Sequence, residues 1–499
     1  MSKAEGGALE QLLDLFETKG VITHEEVRKI RETMKKEQDQ LLEKEKAIKD
    51  KEKALRAWEE ELKDKERALV EKETRPTTIE KDSPARVVGF EETLEGLGLD
   101  AVLGDKACLR SPDEDRFSLC LGGMLQADYR FFDYDSEDPE KNKFDIRRAR
   151  LLIAGHALRL FNYKFEYEFE GPGSRRLLDA YVDASVFPFL YLRIGQFKEP
   201  FSLEQCTMEK NLFFAERSMG YHLTPGRDVG LMAHSSICDD RINYALGIFN
   251  GDGWDDATGG DEDAPECTGR IVLSPLKNRG LGLWDNLQLG GSFGYSRIDS
   301  NNVDIHVETT GMTPFFDVSS RAKFNIIRNA DDRTRYAAEF GWAYGPVALT
   351  SEYEYLRFRD IDTSSARFDS DFEAYYFSLI WMLTGERPVF SKGVLQPIKP
   401  IMGVMRGGLG GLGLGVRYDV FDADHAAYDN LVEEGVSVRE AEAISIALNW
   451  YLGPSVRLIL DATRTDFDRP LLIDRDSITG EAIYEDREDV LTARFQFGF

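Results

Sequence analysis

The most regular pattern in the chain is an alternation of apolar and polar residues with a period of two, which begins after Arg116. From 161 to 170 every odd position is aromatic and every even position is polar. Segments 371–383 and 443–452 also carry one apolar face. This pattern is typical of strands in a soluble sandwich or in a membrane barrel. The many Tyr and Trp residues near strand ends favour the barrel, because their amphipathic rings suit the membrane interface.

The end of the chain and the lengths of the connections extend this interpretation. Residues 491–499 alternate again and close on Phe499, which resembles the insertion signal of outer-membrane barrels. Short turn sequences such as Gly345-Pro346 alternate with long polar stretches, and bacterial barrels have an even number of strands with short periplasmic turns. With 298–332 taken as one outer loop, residues 113–499 are predicted to form an all-β transmembrane barrel of about 16 antiparallel strands with both termini in the periplasm.

The first 75 residues follow a helical pattern instead. Gly20 can end a first helix, and Thr23 with Glu26 forms a capping box that begins a second. In the second helix an apolar residue recurs every seven positions, at Met34, Leu41, Ile48, Leu55, Leu62 and Leu69. We therefore predict a helical hairpin and an α-helical coiled coil in 1–75, followed by a linker in 76–112. The alternative is a single helix held by Glu-to-Lys pairs.

Composition and charge narrow the classes of function. No run of about 18 apolar residues is present, so a helical membrane span is excluded. A net charge of -27 makes nucleic acid an unsuitable partner. The sequence has no nucleophile elbow, metal signature or phosphate loop, so neither enzymatic activity nor a cofactor or metal is expected. The start of the chain has no secretory core, so the protein is cytoplasmic or its signal peptide precedes this numbering.

The five cysteines have neither the spacing of metal ligands nor an even count, and we interpret them as small packing residues. A disulfide between Cys108 and Cys120 requires that their segments form a hairpin. The loop at 251–266 carries seven acidic residues, which favours a solvated acidic loop over a Ca²⁺ site, because the twelve-residue calcium-loop pattern is missing.

Several motifs resemble the phosphate-selective porin O and P family. They include the ten residues from Gly195 to Glu204, Arg147-Arg-Ala-Arg-Leu151 and Glu216-Arg-Ser218, and the match runs in order over about 105–499. The resemblance implies a homotrimeric outer-membrane porin, embedded in lipid, that lets small hydrophilic solutes such as phosphate diffuse passively. Residues 12–16 resemble segments that precede coiled coils in exported porins, which favours a periplasmic coil and a signal peptide missing from this numbering. The alternative is a structural protein whose coil tethers or spaces the membrane.

In that family the third and fifth outer loops fold inward and carry, with the wall, the Lys and Arg that conduct anions. The resemblance, the alternation and the loop positions together give the anion candidates Arg148, Arg150, Arg193, Lys198, Arg217, Arg227, Arg321, Lys323 and Arg328. For each arginine the alternative is an ion pair with a carboxylate of the wall. The same alternation turns Glu166, Glu168, Glu170, Asp179 and Asp183 inward, so the charge preference stays open.

Overall fold

The computed structural model describes residues 100–103, 107–111, 116–133, 142–170, 176–251, 265–298, 303, 305–318, 327–433, 435–475 and 482–499. The chain divides into two units, 1–87 and 88–499. The hairpin and coiled coil predicted for 1–75 lie outside the described residues, as do Arg321, Lys323 and most of the acidic loop at 251–266.

In the described part of the second unit, sixteen long antiparallel strands close into a barrel. They are β1 Phe117–Asp133, β2 Lys143–Ala157, β3 Phe161–Glu168, β4 Leu177–Phe187, β5 Leu190–Lys198, β6 Arg227–Ile237, β7 Ile242–Phe249, β8 Glu266–Leu273, β9 Leu287–Arg297, β10 Asp332–Tyr344, β11 Val347–Thr363, β12 Arg367–Met382, β13 Gly411–Ala423, β14 Glu440–Tyr451, β15 Val456–Arg475 and β16 Ala482–Gly498. Each strand pairs with the next, and β16 closes the barrel on β1. The predicted strand count is confirmed.

The two faces of the wall differ as the period of two predicts. On β14 four outward side chains are 38–52% exposed, namely Ile444, Ile446, Leu448 and Trp450. The four that alternate with them are at most 2% exposed, namely Ala443, Ser445, Ala447 and Asn449. Successive side chains of a strand point to opposite faces, so β14 presents an apolar exterior and a small or polar interior. Among the described residues no helix is long and apolar enough to cross a membrane.

A short hairpin precedes the barrel and corrects two predictions. Strands Asp100–Leu103 and Ala107–Arg110 pair with each other, and the second continues the sheet alongside the start of β1. The predicted linker 76–112 therefore contains β-structure, which its four-residue strands were too short to reveal. Cys108 lies opposite Cys120, and the two form a disulfide, so the interpretation of all five cysteines as packing residues was wrong.

Two further segments fold into the barrel, one after β9 and one after β12. Within 298–331, strands Ile305–Glu308 and Pro314–Val318 form a separate sheet, and the fully buried Phe315 and Phe316 pack against β12 and β13. Residues 383–410, between β12 and β13, are longer than the short turns expected at that end. Their two-residue strands Phe390–Ser391 and Val394–Leu395 reach the interior of the barrel, where Phe390 is 4% exposed.

Candidate permeation site

The long loop between β5 and β6, residues 199–226, lies inside the barrel and is named here the inner loop. It contains the short helix Leu203–Cys206 and two 3-10 turns, Glu209–Asn211 and Met219–Leu223. Most of its residues are buried, although a surface loop of this composition would normally face water. The wall of the barrel must therefore supply partners for its backbone.

Carboxylates of β11, β13 and β15 accept hydrogen bonds from the backbone of the inner loop. Glu352 accepts from the N–H groups of Leu203 and Glu204 at 2.6 and 2.8 Å. Asp461 accepts from Ala215 N, and Asp419 from Met219 N, both at 2.8 Å. These wall acids therefore bind the loop instead of facing open water. All three are at most 4% exposed.

Donors of the same half of the wall bind the carbonyl groups of the inner loop. Asn449 Nδ2 donates to Phe213 O at 2.8 Å, and Arg457 Nη1 donates to Leu212 O at 2.7 Å. Arg494 donates to Ala215 O. Side chains of this half of the wall thus accept from N–H groups of the inner loop and donate to its C=O groups. The loop is held by its backbone.

A glutamate of the inner loop, Glu216, binds arginines of β2 and β16. Glu216 receives Arg147 Nε at 2.8 Å, Arg148 Nη2 at 3.0 Å and Arg494 Nη2 at 2.5 Å. Burial alone would raise the pKa of Glu216, but these arginines hold it well below its usual range. Asp128 of β1 forms a second acidic partner, with both its oxygens 2.7 Å from Arg494. The inner loop is therefore latched at the seam where the barrel closes.

An open cavity of about 1080 Å³ remains on the β1–β8 side of the lumen. The inner loop forms one boundary, through residues including Met208 and Glu209, and Lys392 and Val394 of the segment 383–410 form another. Among the described residues its lining contains eight Lys or Arg, namely Arg150, Lys164, Arg193, Lys198, Lys210, Arg227, Arg270 and Lys392. Six acids line it as well, namely Glu166, Asp179, Asp183, Glu209, Asp239 and Asp240.

A chain of ion pairs runs along this cavity. Arg227 Nε lies 2.9 Å from Asp179 Oδ1, and the other oxygen of Asp179 lies 2.5 Å from Lys164 Nζ. Lys164 also contacts Glu166 at 2.7 Å. Further along, Arg193 pairs with an aspartate of β4 at 2.7 Å. The cations and acids named here are therefore paired with one another along the lining.

Three cations surround the one carboxylate that the inner loop places in the cavity. Arg150 Nη1 and Lys198 Nζ each lie 3.0 Å from an oxygen of Glu209, and Arg217 Nη2 lies 3.2 Å from one. Although burial would raise the pKa of Glu209, Lys198, Arg150 and Arg217 hold it well below its usual range. Glu209 is therefore charged at neutral pH.

The structure brings together four of the predicted anion residues, and these line the cavity: Arg150, Arg193, Lys198 and Arg227. Arg148 and Arg217 are buried behind it, the first on Glu216 and the second among backbone oxygens of the inner loop. Arg328 is exposed on the short strand Ile327–Asn329, away from the cavity lining. Each of the six inward cations forms an ion pair, but only Arg150, Arg193 and Arg227 pair with a carboxylate of the wall, as the alternative interpretation had it. The other three, Arg148, Lys198 and Arg217, pair with Glu216 or Glu209 of the inner loop.

Sequence reasoning missed several residues of the site. Arg147 also turns inward, because a bulge between β1 and β2 interrupts the alternation there. Lys164 has the same place in the alternation as Glu166, so the sequence pattern also predicts that it faces inward. Arg270 lines the cavity and makes a bidentate pair with Glu339 at 2.6 and 2.7 Å, and its β8 strand was not singled out. Over the described ranges, no cluster of three or more His, Cys, Asp or Glu is arranged to hold a metal.

The sequence model of one family, phosphate-selective porin O and P, matches residues 119–499, which is most of the chain. The chain belongs to this family. Porin O of Pseudomonas aeruginosa is 26% identical over 399 residues, which span 74% of this porin and 88% of that protein. This porin is accordingly an outer-membrane channel for the passive diffusion of small hydrophilic solutes.

Among solved structures, an anion-selective porin from Comamonas acidovorans superposes with a TM-score of 0.47 at 12% identity, over 77% of this chain and 100% of that one. OmpT of Vibrio cholerae in its trimer form gives 0.46 at 11% identity, also over 77% and 100%.

Proposed function

We propose that this porin conducts anions in preference to cations, and that they pass along the β1–β8 side of the lumen. The observation that carries the proposal is the excess of Lys and Arg over acids among the described residues that line the cavity, in a chain whose total charge is -27. Fixed cations replace part of the water around an anion, while neighbouring carboxylates keep each contact weak enough for release. Phosphate is one anion of suitable chemistry, since guanidinium groups bind it well.

The acids of the opposite half do not weaken this proposal. Glu352, Asp419 and Asp461 each accept hydrogen bonds from the inner loop and are at most 4% exposed, so they do not border the cavity. The surface that solutes meet is thus separated from much of the negative charge of the wall. We also infer that the protein acts as a channel and not as an enzyme, which its family membership supports.

Three expectations about the assembly belong to the same proposal. Self-association into a homotrimer is supported by family membership. A lipid-facing exterior is supported by the exposed apolar row on β14. The coiled coil in the periplasm rests on the sequence pattern alone.

The test is the reversal potential of the purified full-length porin in a planar bilayer with a KCl gradient. We expect a reversal potential whose sign shows preference for chloride, because the fixed cations of the cavity attract chloride and repel potassium. Potassium preference would contradict the proposal. A channel that stays closed would instead favour the structural alternative, and removal of residues 1–75 would then produce the envelope defects that this alternative requires.

A further inference from the structure

Glu209 is a carboxylate in the position where a cavity of this kind would hold a free anion. Its side chain belongs to the inner loop. Of its three cationic partners, Arg150 lies on β2, Lys198 ends β5 and Arg217 belongs to the inner loop. It lines the cavity together with Arg150 and Lys198. The three contacts are ion pairs at 3.0–3.2 Å, and the same types of cation pair with phosphate oxygens.

The three cations, named here the cradle, are held in place by other partners as well. Arg150 Nε lies 2.6 Å from Glu168, and Lys198 Nζ donates to Gln205 O at 2.8 Å. Arg217 donates to the carbonyl oxygens of Glu204 and Thr207 at 3.1 and 3.0 Å. The cradle therefore does not depend on Glu209 for its shape. Without that carboxylate it would present Arg150 and Lys198 to the cavity, with Arg217 buried behind them.

We propose that Glu209 is a tethered anion that fills an anion-binding site of the pore, and that permeating anions compete with it for the cradle. The inference rests on the proposed anion preference. Its chemical logic is that of an intramolecular competitor, whose effective concentration is high because it is attached to the inner loop. Competition keeps the affinity for oxyanions low, so that they pass instead of blocking the channel.

The contribution of the Glu209 charge can be separated from a general loss of negative charge. Asp239 lines the same cavity, is exposed and lies outside the cradle. Its backbone has φ 56°, a conformation that Asn also tolerates, so D239N removes one charge with little strain. The conservative variant E209D keeps the charge at the cradle and shortens the side chain by one methylene.

The experiment measures how inorganic phosphate reduces the single-channel chloride current of full-length wild type, E209Q, E209D and D239N. We expect E209Q to be blocked at a phosphate concentration about tenfold lower than wild type. E209D and D239N should behave like wild type. Retention of heat-modifiable mobility on gels confirms that each variant is folded before its current is compared.

Three outcomes would overturn the proposal. If wild type prefers chloride but E209Q needs as much phosphate as wild type, Glu209 does not compete, and the proposed function stands alone. If D239N is sensitized as much as E209Q, the effect is one of general charge and not of the cradle. If the reversal potential of wild type shows potassium preference, the proposed function fails, and this inference fails with it.

Discussion

The two halves of the barrel wall use similar inward-facing charges for different purposes. On β9–β16, carboxylates and arginines bind the backbone of the inner loop, as Glu352 and Arg457 do. On β1–β8, charges such as Arg227 and Asp179 pair with each other and border an open cavity. The comparison teaches that the net charge of a porin wall does not predict the charge of its pore. What matters is which groups a loop covers.

The physical reason is mutual satisfaction of buried polar groups. A loop that enters a barrel loses water around its N–H and C=O groups, and a buried carboxylate loses water around its charge. The hydrogen bonds between Glu352 and the N–H groups of Leu203 and Glu204 offset part of both penalties. The β1–β8 half borders the open cavity, where charges such as Arg227 and Asp179 pair with each other.

The largest effect is expected where the two halves meet, at Arg494. Its truncation in R494A leaves Asp128 and Glu216 with fewer partners in a buried site, which should cost about 3–5 kcal/mol of unfolding free energy. Freed from this latch, the inner loop should also move, and single-channel conductance should rise. Thermal unfolding in detergent measures the first effect and bilayer recording the second.

The matched control for Arg494 is Arg464, which makes a bidentate pair with Asp489 on the exposed outer face. An exposed pair contributes little, so R464A should leave both measurements near wild type. Equal losses of unfolding free energy in R494A and R464A would contradict the stabilising role assigned to the contacts of Arg494 with Asp128 and Glu216.

A smaller effect is expected from E352Q on the loop-binding half. The carboxylate accepts from Leu203 N, Glu204 N and Tyr376 Oη, and an amide NH₂ group cannot accept. We expect a loss of about 1–3 kcal/mol and a noisier open channel, with little change of ion preference. The outward-facing E373Q on β12 serves as control, and a quiet E352Q channel would contradict the assigned anchoring role.

Substitution of a cation that lines the cavity should change ion preference more than it changes the stability of the inner loop. R227Q removes a lining cation, and we expect the chloride-to-potassium permeability ratio to fall by about two- to fivefold without added noise. R328Q changes an exposed arginine outside the cavity lining and should leave the ratio unchanged. A reversed ranking of these two variants would argue for a conduction path near loop 298–331.

The smallest effect concerns pH at the turn between β6 and β7. Burial would raise the pKa of Asp240, but hydrogen bonds from Ser236, Lys277 and Ser391 hold it at about 2. Its folded pKa is below the unfolded value, so its contribution is complete above about pH 4 and is lost as pH falls towards 2. We expect conductance to drift over that range as Ser391 is released, and D240N to abolish the drift. A drift that persists in D240N would assign it to another group.

The sequence predicted the barrel well because alternation along each strand is a local property. It placed Arg150 and Arg193 inward correctly for the same reason. It could not predict that Arg147 also turns inward, because a bulge has no local signature there. Nor could it assign Glu209 and Glu216 their cationic partners, since those contacts depend on where the inner loop rests.

Modification of single introduced cysteines tests most directly which half of the lumen conducts. In a chain whose free Cys206, Cys238 and Cys267 are replaced by Ser, N162C faces the cavity, whereas T463C lies on the inner face of β15 and is 5% exposed as Thr. A negatively charged methanethiosulfonate should reduce the chloride current of N162C and leave that of T463C unchanged. Rapid block of T463C with an unaffected N162C would contradict the account.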